Sequence, residues 1–327
     1  MQNHRFVMLS LAALFGVVVL TASTASIAQQ WPTRPVKVIV PLGPGSGTDV
    51  IGRLFAERLL ALWNKPVVVE NWPGGDGMIG IRAFLTAADD HVLLFTATSV
   101  FTGHPYLHEK LSYNPNDLVP AAQVNYTPVV VAVPTAINVS SVKELIDQAS
   151  AQPNALNAAS ITGLQDLIFN GFSKAENLHI AKVPYRDTVL ALNDLAQNRI
   201  QVLLTSVTIV QSQVQAGKVA IIATTSRQRQ PVLPETPTVS EAGVPSLTVE
   251  GGAGFFVLKT SEAQLRDRVA DDVIKVAEAD PGLRDRLAAM GQVLNTGPSS
   301  EFVKLVQDQR ARAAEAARLL GIKPAQF

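Results

Sequence analysis

The stretch from Val36 to Trp63, VKVIVPLGPGSGTDVIGRLFAERLLALW, constrains the fold more than any other, because a strand, a glycine loop and a helix follow one another without a gap. Val36, Val38, Ile39 and Val40 are β-branched within one run, the pattern of a strand buried on both faces of a parallel sheet. Pro41 stops the strand, and Gly43, Gly45, Ser46 and Gly47 make a loop of little bulk whose backbone can approach a bound group closely. Thr48 or Asp49 is placed to cap a helix on which Ile51, Leu54, Phe55, Leu59 and Leu62 recur at helical spacing. The free N–H groups and positive dipole end of that helix face the loop, an arrangement that suits a carboxylate. The same junction also serves as a plain connection in many α/β proteins. It is not a dinucleotide fingerprint, since Thr48 stands where a third glycine is needed, and it lacks the Gly-Lys-Ser/Thr of a P-loop. Nor is Ser46 a nucleophile elbow, because its glycines are adjacent rather than two residues away.

Residues 1–28 carry Arg5, an apolar run from Phe6 to Leu20 and then Ser23, Ala25, Ser26 and Ala28, which reads as a secretory signal peptide cleaved after Ala28. Its apolar run is too short for a stable membrane span. The 299 residues that follow hold 26 basic and 27 acidic side chains and no cysteine. That length predicts roughly two domains, and a near-neutral chain without a basic run argues against nucleic acid. The mature protein is expected to be soluble and exported, folded without disulfides.

Further along, Pro66–Glu70 reads as a second strand leading into Asn71-Trp72-Pro73-Gly74-Gly75-Asp76-Gly77, and Val92–Ala97 as a third leading into Thr98, Ser99 and Thr102. Ligands of open parallel sheets bind at the carboxyl ends of strands, so three successive strands ending in small or hydroxyl residues mark one side of a site. His104 and His108 have the spacing of a metal pair, but Pro105 intervenes and no HExxH is present, so a surface-histidine reading is preferred. Leu118–Val133 ends in PVVVAVP and is expected to cross into a second lobe. There, Leu156–Ser160, Thr162 and Gly163, and a helix from Leu164 to Ala175 repeat the strand–loop–helix pattern. Arg186 is a candidate partner for a ligand carboxylate, against an ion pair or cap with Asp187. Ile200–Leu204 ends in Thr205 and Ser206, and four prolines between 226 and 245 predict a wrapped loop with a short helix near Val239–Ala242. EGGAGFFVL at Glu250–Leu258 suits the return crossing, and the rest is mostly helical.

The chain resembles the extracytoplasmic receptors of tripartite tricarboxylate transporters, the Bug-type solute-binding proteins. The markers are WPTRPVKVIVPLGPGSGTD at Trp31–Asp49, VVENWPGGDGMIG at Val68–Gly80, VPYRD at Val183–Asp187, QAGKVAIIATTSRQRQPVLPETPTVSEAGVP at Gln215–Pro245 and GGAGFFVLKTS at Gly251–Ser261. The resemblance implies an α/β, two-lobed periplasmic binding protein fold of type II kind, each lobe a sheet flanked by helices, with two crossing segments. Residues 29–132 and 255–327 would form the first lobe and 133–254 the second. It also implies a small carboxylate held by Gly43, Gly45, Ser46, Gly47, Thr48 and Asp49, by Thr98 and Ser99, and by Ser160, Thr162, Gly163, Tyr185, Arg186 and Ser206. No cofactor is called for, membrane transporter subunits are the expected partners, and a monomer is the expected state. Closure would hinge near Val131–Pro134 and Gly252–Phe256.

Several positions depart from the family pattern. Gly45-Ser46 replaces a double glycine, Asp166 precedes Leu167 in place of histidine, Asp187 replaces a glycine, and an acid near Ser206 is missing. These leave the solute open. The alternatives are a sensor for a signalling partner and a secreted α/β hydrolase, the latter lacking a histidine in any loop assigned to the cleft.

Overall fold

Runs of β-branched and aromatic residues supply the strands from which the computed structural model of the chain is built, and residues 31–161 and 163–327 are described. The expected signal peptide therefore lies outside the described residues. Strands β1 (Val36–Val40), β2 (Val67–Asn71) and β3 (Val92–Ala97) are parallel, with β1 in the middle. Each is followed by helix: α1 (Gly47–Trp63), α2 (Met78–Ala87), and two single turns, α3 (Ser99–Thr102) and α4 (His104–Leu107). The first sheet is completed by β4 (Leu118–Thr127), β10 (Gly251–Leu258) and the short β11 (Val293–Leu294), in the order β11-β4-β10-β3-β1-β2. Here β10 runs antiparallel to both neighbours.

The second sheet uses β5 (Val129–Pro134), β8 (Leu203–Ser206) and β9 (Val219–Thr224), antiparallel in the order β8-β5-β9. A parallel pair, β6 (Asn157–Ser160) and β7 (Ala181–Pro184), extends it through a bridge between Ala158 and Val202. The two sheets thus repeat one plan: the strand arriving from the other lobe, β10 or β5, is inserted antiparallel between the third strand of its lobe and the next. All six residues of β5 are buried, which explains the unbroken apolar VVVAVP.

The chain crosses between the sheets inside the first expected segment, Leu118–Val133, and at the start of the second, Glu250–Leu258. The sheet changes at Pro128, between Thr127 and Val129, so a boundary at 132/133 lies inside a fully buried strand of the second lobe. The return occurs at Val249 and Glu250, since Val249 belongs to the second core while Gly251 already pairs with Thr127. Residues 131–134 and 252–256, where a hinge was expected, are paired within the sheets, and the chain passes between the sheets at 127–128 and 249–251. The short helix expected at 239–242 is a turn, closed by the Ala242 N–H on the Thr238 carbonyl at 3.0 Å.

A third link escaped the sequence reading. The last helix (Ser299–Leu320) contributes Phe302, Leu305 and Val306 to the core beneath the first sheet and Ala313, Ala316 and Ala317 to the core of the second. Gly171, on the helix Leu164–Ala175, permits this approach, because a Cβ there would lie 2.6 Å from that of Ala316.

Candidate functional site

Ser46, in extended conformation, caps α1, its Oγ accepting the Asp49 N–H at 3.2 Å. Thr48 and Asp49, the expected caps, instead lie inside the first turn. Asp49 is buried and has other work: its carboxylate accepts from the Gly45 N–H at 2.8 Å, from Arg53 Nε at 3.0 and 3.1 Å, and from Asn71 Nδ2 at 2.8 Å. Asn71 also donates to the Leu42 carbonyl at 3.0 Å, so the end of β2 holds the loop after β1. Burial works to raise the Asp49 carboxyl, but the bonds from Arg53, Gly45 and Asn71 outweigh it and hold the group below the usual aspartate range. What the loop leaves over are the N–H groups of Gly47 and Thr48, which no described backbone bond takes up. They are two aligned donors at the positive end of a 17-residue helix.

This network makes Asp49 a loop-positioning group. Asp49→Ala is expected to cost about 2 kcal/mol, a value limited by the half-exposed Arg53. Because the folded-state pKa lies below the unfolded value, this stabilisation is complete at neutral pH and is lost as pH falls through the folded pKa, below the ordinary aspartate range. Urea melts of wild type and variant at pH 7 and pH 3 check this: the difference shrinks at the lower pH.

The lobes enclose a cavity of about 370 Å³. Thr98 and Ser99 line it at the end of β3, Gly163, Leu164 and Gln165 line it at the N-terminus of the Leu164–Ala175 helix, and Glu250–Gly252 close it at the return crossing. The Thr98 N–H bonds the Gly252 carbonyl at 2.8 Å, tying that loop to the return crossing. The Glu250 carboxylate accepts the Arg227 N–H at 2.9 Å, so it does not face the cavity unpaired. A smaller cavity of about 250 Å³ adjoins it through Gln165 and runs along the ends of β6 and β8, lined by Asp166, Thr205 and Ser206. Burial raises the Asp166 carboxyl, against the lowering effect of Ser160, Lys182 and Asn170.

The structure therefore brings Thr98, Ser99 and Gly163 together across one cavity and sets Ser206 on the other, which Ser160 reaches only through its hydrogen bond to Asp166. The loop Gly43–Asp49 lines neither cavity. Tyr185 is engaged elsewhere, its hydroxyl donating to Asp194 at 2.7 Å and pushed up to about 12 by burial and that bond. Arg186 is exposed and makes no ion pair among the described residues, while Asp187 caps the helix Thr188–Ala196 by accepting the Val189 N–H at 2.6 Å. Thr162 lies outside the described residues.

Sequence reasoning missed Asp76, His104, His108 and Gln165, all of which line the larger cavity. His104 overturns the surface reading, being 4% exposed. Its Nδ1 contacts the Tyr113 hydroxyl at 2.9 Å, and burial holds the ring's pKa below the usual histidine range despite Asp76 nearby. The spacing of the two histidines was a usable signal, and the Pro105 that discounted it starts a turn in place of interrupting a helix.

Comparison with known proteins decides the lineage: the profile of the family described as "Tripartite tricarboxylate transporter family receptor" matches residues 51–322. The chain belongs to this receptor family. It is 31% identical to the protein BugT of Bordetella pertussis over 252 residues, covering 73% of this chain and 75% of that one. Among solved structures it is similar to the R. palustris protein Rpa4515 with adipate, with a TM-score of 0.65 and 25% identity over 90% of this chain and 99% of the other. A TctC solute-binding protein from Polaromonas shares the fold with a TM-score of 0.80 at 22% identity, over 88% of this chain and 99% of that one. The family consists of receptors that bind a substrate and do not convert it, so the hydrolase alternative falls.

Proposed function

We propose that this receptor is exported to the periplasm, binds one small carboxylate between its lobes and delivers it to the membrane subunits of a tripartite tricarboxylate transporter. The observation that carries the reading is the cavity in which Thr98 and Ser99 of one lobe oppose a helix N-terminus, Gly163–Gln165, of the other. Closure about residues 127–128 and 249–251 would carry the second lobe's helix N-terminus towards the Gly47 and Thr48 donors, which share the first lobe with Thr98 and Ser99, completing an anion site made of backbone dipoles. Such a site explains how a chain of balanced charge selects an anion without a cluster of basic side chains. The adipate in the R. palustris relative supports a carboxylate as the ligand class. Asp166, beside the second cavity, disfavours a long dianion that reaches it, which points to a short acid or one with a neutral far end. The chain is expected to act as a monomer.

A thermal-shift screen of the mature protein against mono-, di- and tricarboxylates, aromatic acids and acidic amino acids tests this. A ligand at 100 times its Kd adds about 2.7 kcal/mol to the native state, a shift readily seen. Stabilisation by one carboxylate class, confirmed by calorimetry with one site per chain, is the expected result. Stabilisation by none of them, with mass spectrometry showing no acid already bound, would overturn the proposal.

A further inference from the structure

Asp76 projects from the glycine loop after β2, at a positive φ of 54° between Gly75 and Gly77, and its Oδ2 lies 3.0 Å from His108 Nε2 and 3.3 Å from His104 Nε2. The ligand atoms of the three residues all lie within 4.8 Å of one another. Hydrogen bonding behind His104 decides its tautomer. Tyr113 has a single hydroxyl proton, which it donates to the Val100 carbonyl at 2.7 Å, so towards His104 it can only accept, and Nδ1 must carry the hydrogen. With Nδ1 engaged behind the ring, Nε2 of His104 faces the Asp76 carboxylate together with Nε2 of His108, so that three metal-ligating atoms meet at one place and a single dication could contact all of them. Zinc-type bonds of about 2.0–2.2 Å place tetrahedral ligands roughly 3.3–3.5 Å apart, close to the two spacings from Asp76 Oδ2. The Tyr113–Val100 relay is also the kind of outer contact that orients a metal-bound imidazole.

We propose that Asp76, His104 and His108 bind one transition-metal dication of the zinc class in the wall of the interlobe cavity, with a fourth position open to that cavity. Two imidazoles and one carboxylate suit zinc, nickel or copper over magnesium or calcium. A carboxylate oxygen of the solute completes the coordination, so that the ion selects acids able to chelate; this last step rests on the receptor reading, whereas the metal site itself does not.

The test uses untagged, chelator-treated mature protein titrated with Zn²⁺ against a chromophoric chelator and with Co²⁺ by visible absorption. One ion per chain, with the intense absorption of tetrahedral Co²⁺, is expected. His108→Ala and Asp76→Asn, both at partly exposed side chains, should keep the melting temperature of the metal-free protein and weaken binding by about 100-fold. His179→Ala, outside the cluster, should change nothing. No binding, or binding indifferent to both cluster variants, would overturn the site. Repeating the carboxylate screen with and without Zn²⁺ separates the two proposals: acids that stabilise the metal-free protein alone uphold the receptor and refute the chelate, while Zn²⁺ binding with no response to any acid upholds the site and refutes the receptor.

Discussion

Replacing Gly47 by valine is expected to weaken carboxylate binding by at least about 100-fold while the protein stays folded. A Cβ built at Gly47 meets no atom within 4 Å and the residue is not at positive φ, so valine fits the native backbone. Side chains on a helix tilt towards its N-terminus, so the added methyl groups enter the space that an anion on the Gly47 and Thr48 donors would occupy. Two hydrogen bonds to a charged group are worth about 3 kcal/mol or more together, which is the stated factor. Calorimetry with the acid found in the screen, on a variant whose circular dichroism and melting temperature match wild type, gives the answer. Unchanged affinity would remove the first loop from the site.

The second large effect concerns stability at the return crossing. Gly254→Ala is expected to cost about 3 kcal/mol. A Cβ at this position would sit 2.3 Å from the Ala122 carbonyl oxygen and 2.7 Å from the Phe302 ring. The oxygen belongs to strand β4 and cannot rotate away, and Phe302 is fully buried in the core under the sheet. Register shifts on either side of the Gly254–Phe255 pair show the ladder already bent around this approach. The melting temperature should fall by roughly 6–10 °C. Gly43→Ala is the control, since a Cβ there meets nothing within 4 Å. Equal melting temperatures for both variants would show that the sheet relaxes freely around residue 254.

How much of this was written in the chain differs from feature to feature. The helix after the first glycine loop, the strand 219–224 and the strand 251–258 follow from periodicity and composition, because each is set by its own residues: apolar positions at helical spacing in the first, and unbroken apolar runs in the two strands. Arg186 could not be placed that way. Its planar fork suited a carboxylate, yet exposure depends on which neighbours the fold brings, and here the side chain is exposed and forms no ion pair among the described residues.

The sequence by itself determined the local junctions: which residues end a strand, which loops carry too little bulk to shield their backbone, and where a helix begins within a residue or two. Even the cap at Ser46 in place of Thr48 is a small displacement within that local information. Only the tertiary structure decided the rest. The insertion of β5 and β10 into the sheets of opposite lobes, the crossings at 128 and 249–250, the last helix shared by two cores, and the meeting of Asp76 with His104 and His108 all join residues distant in the chain. Such contacts arise when sheets and helices pack to bury their apolar faces, and no window of neighbouring residues encodes which distant strand or loop will lie alongside.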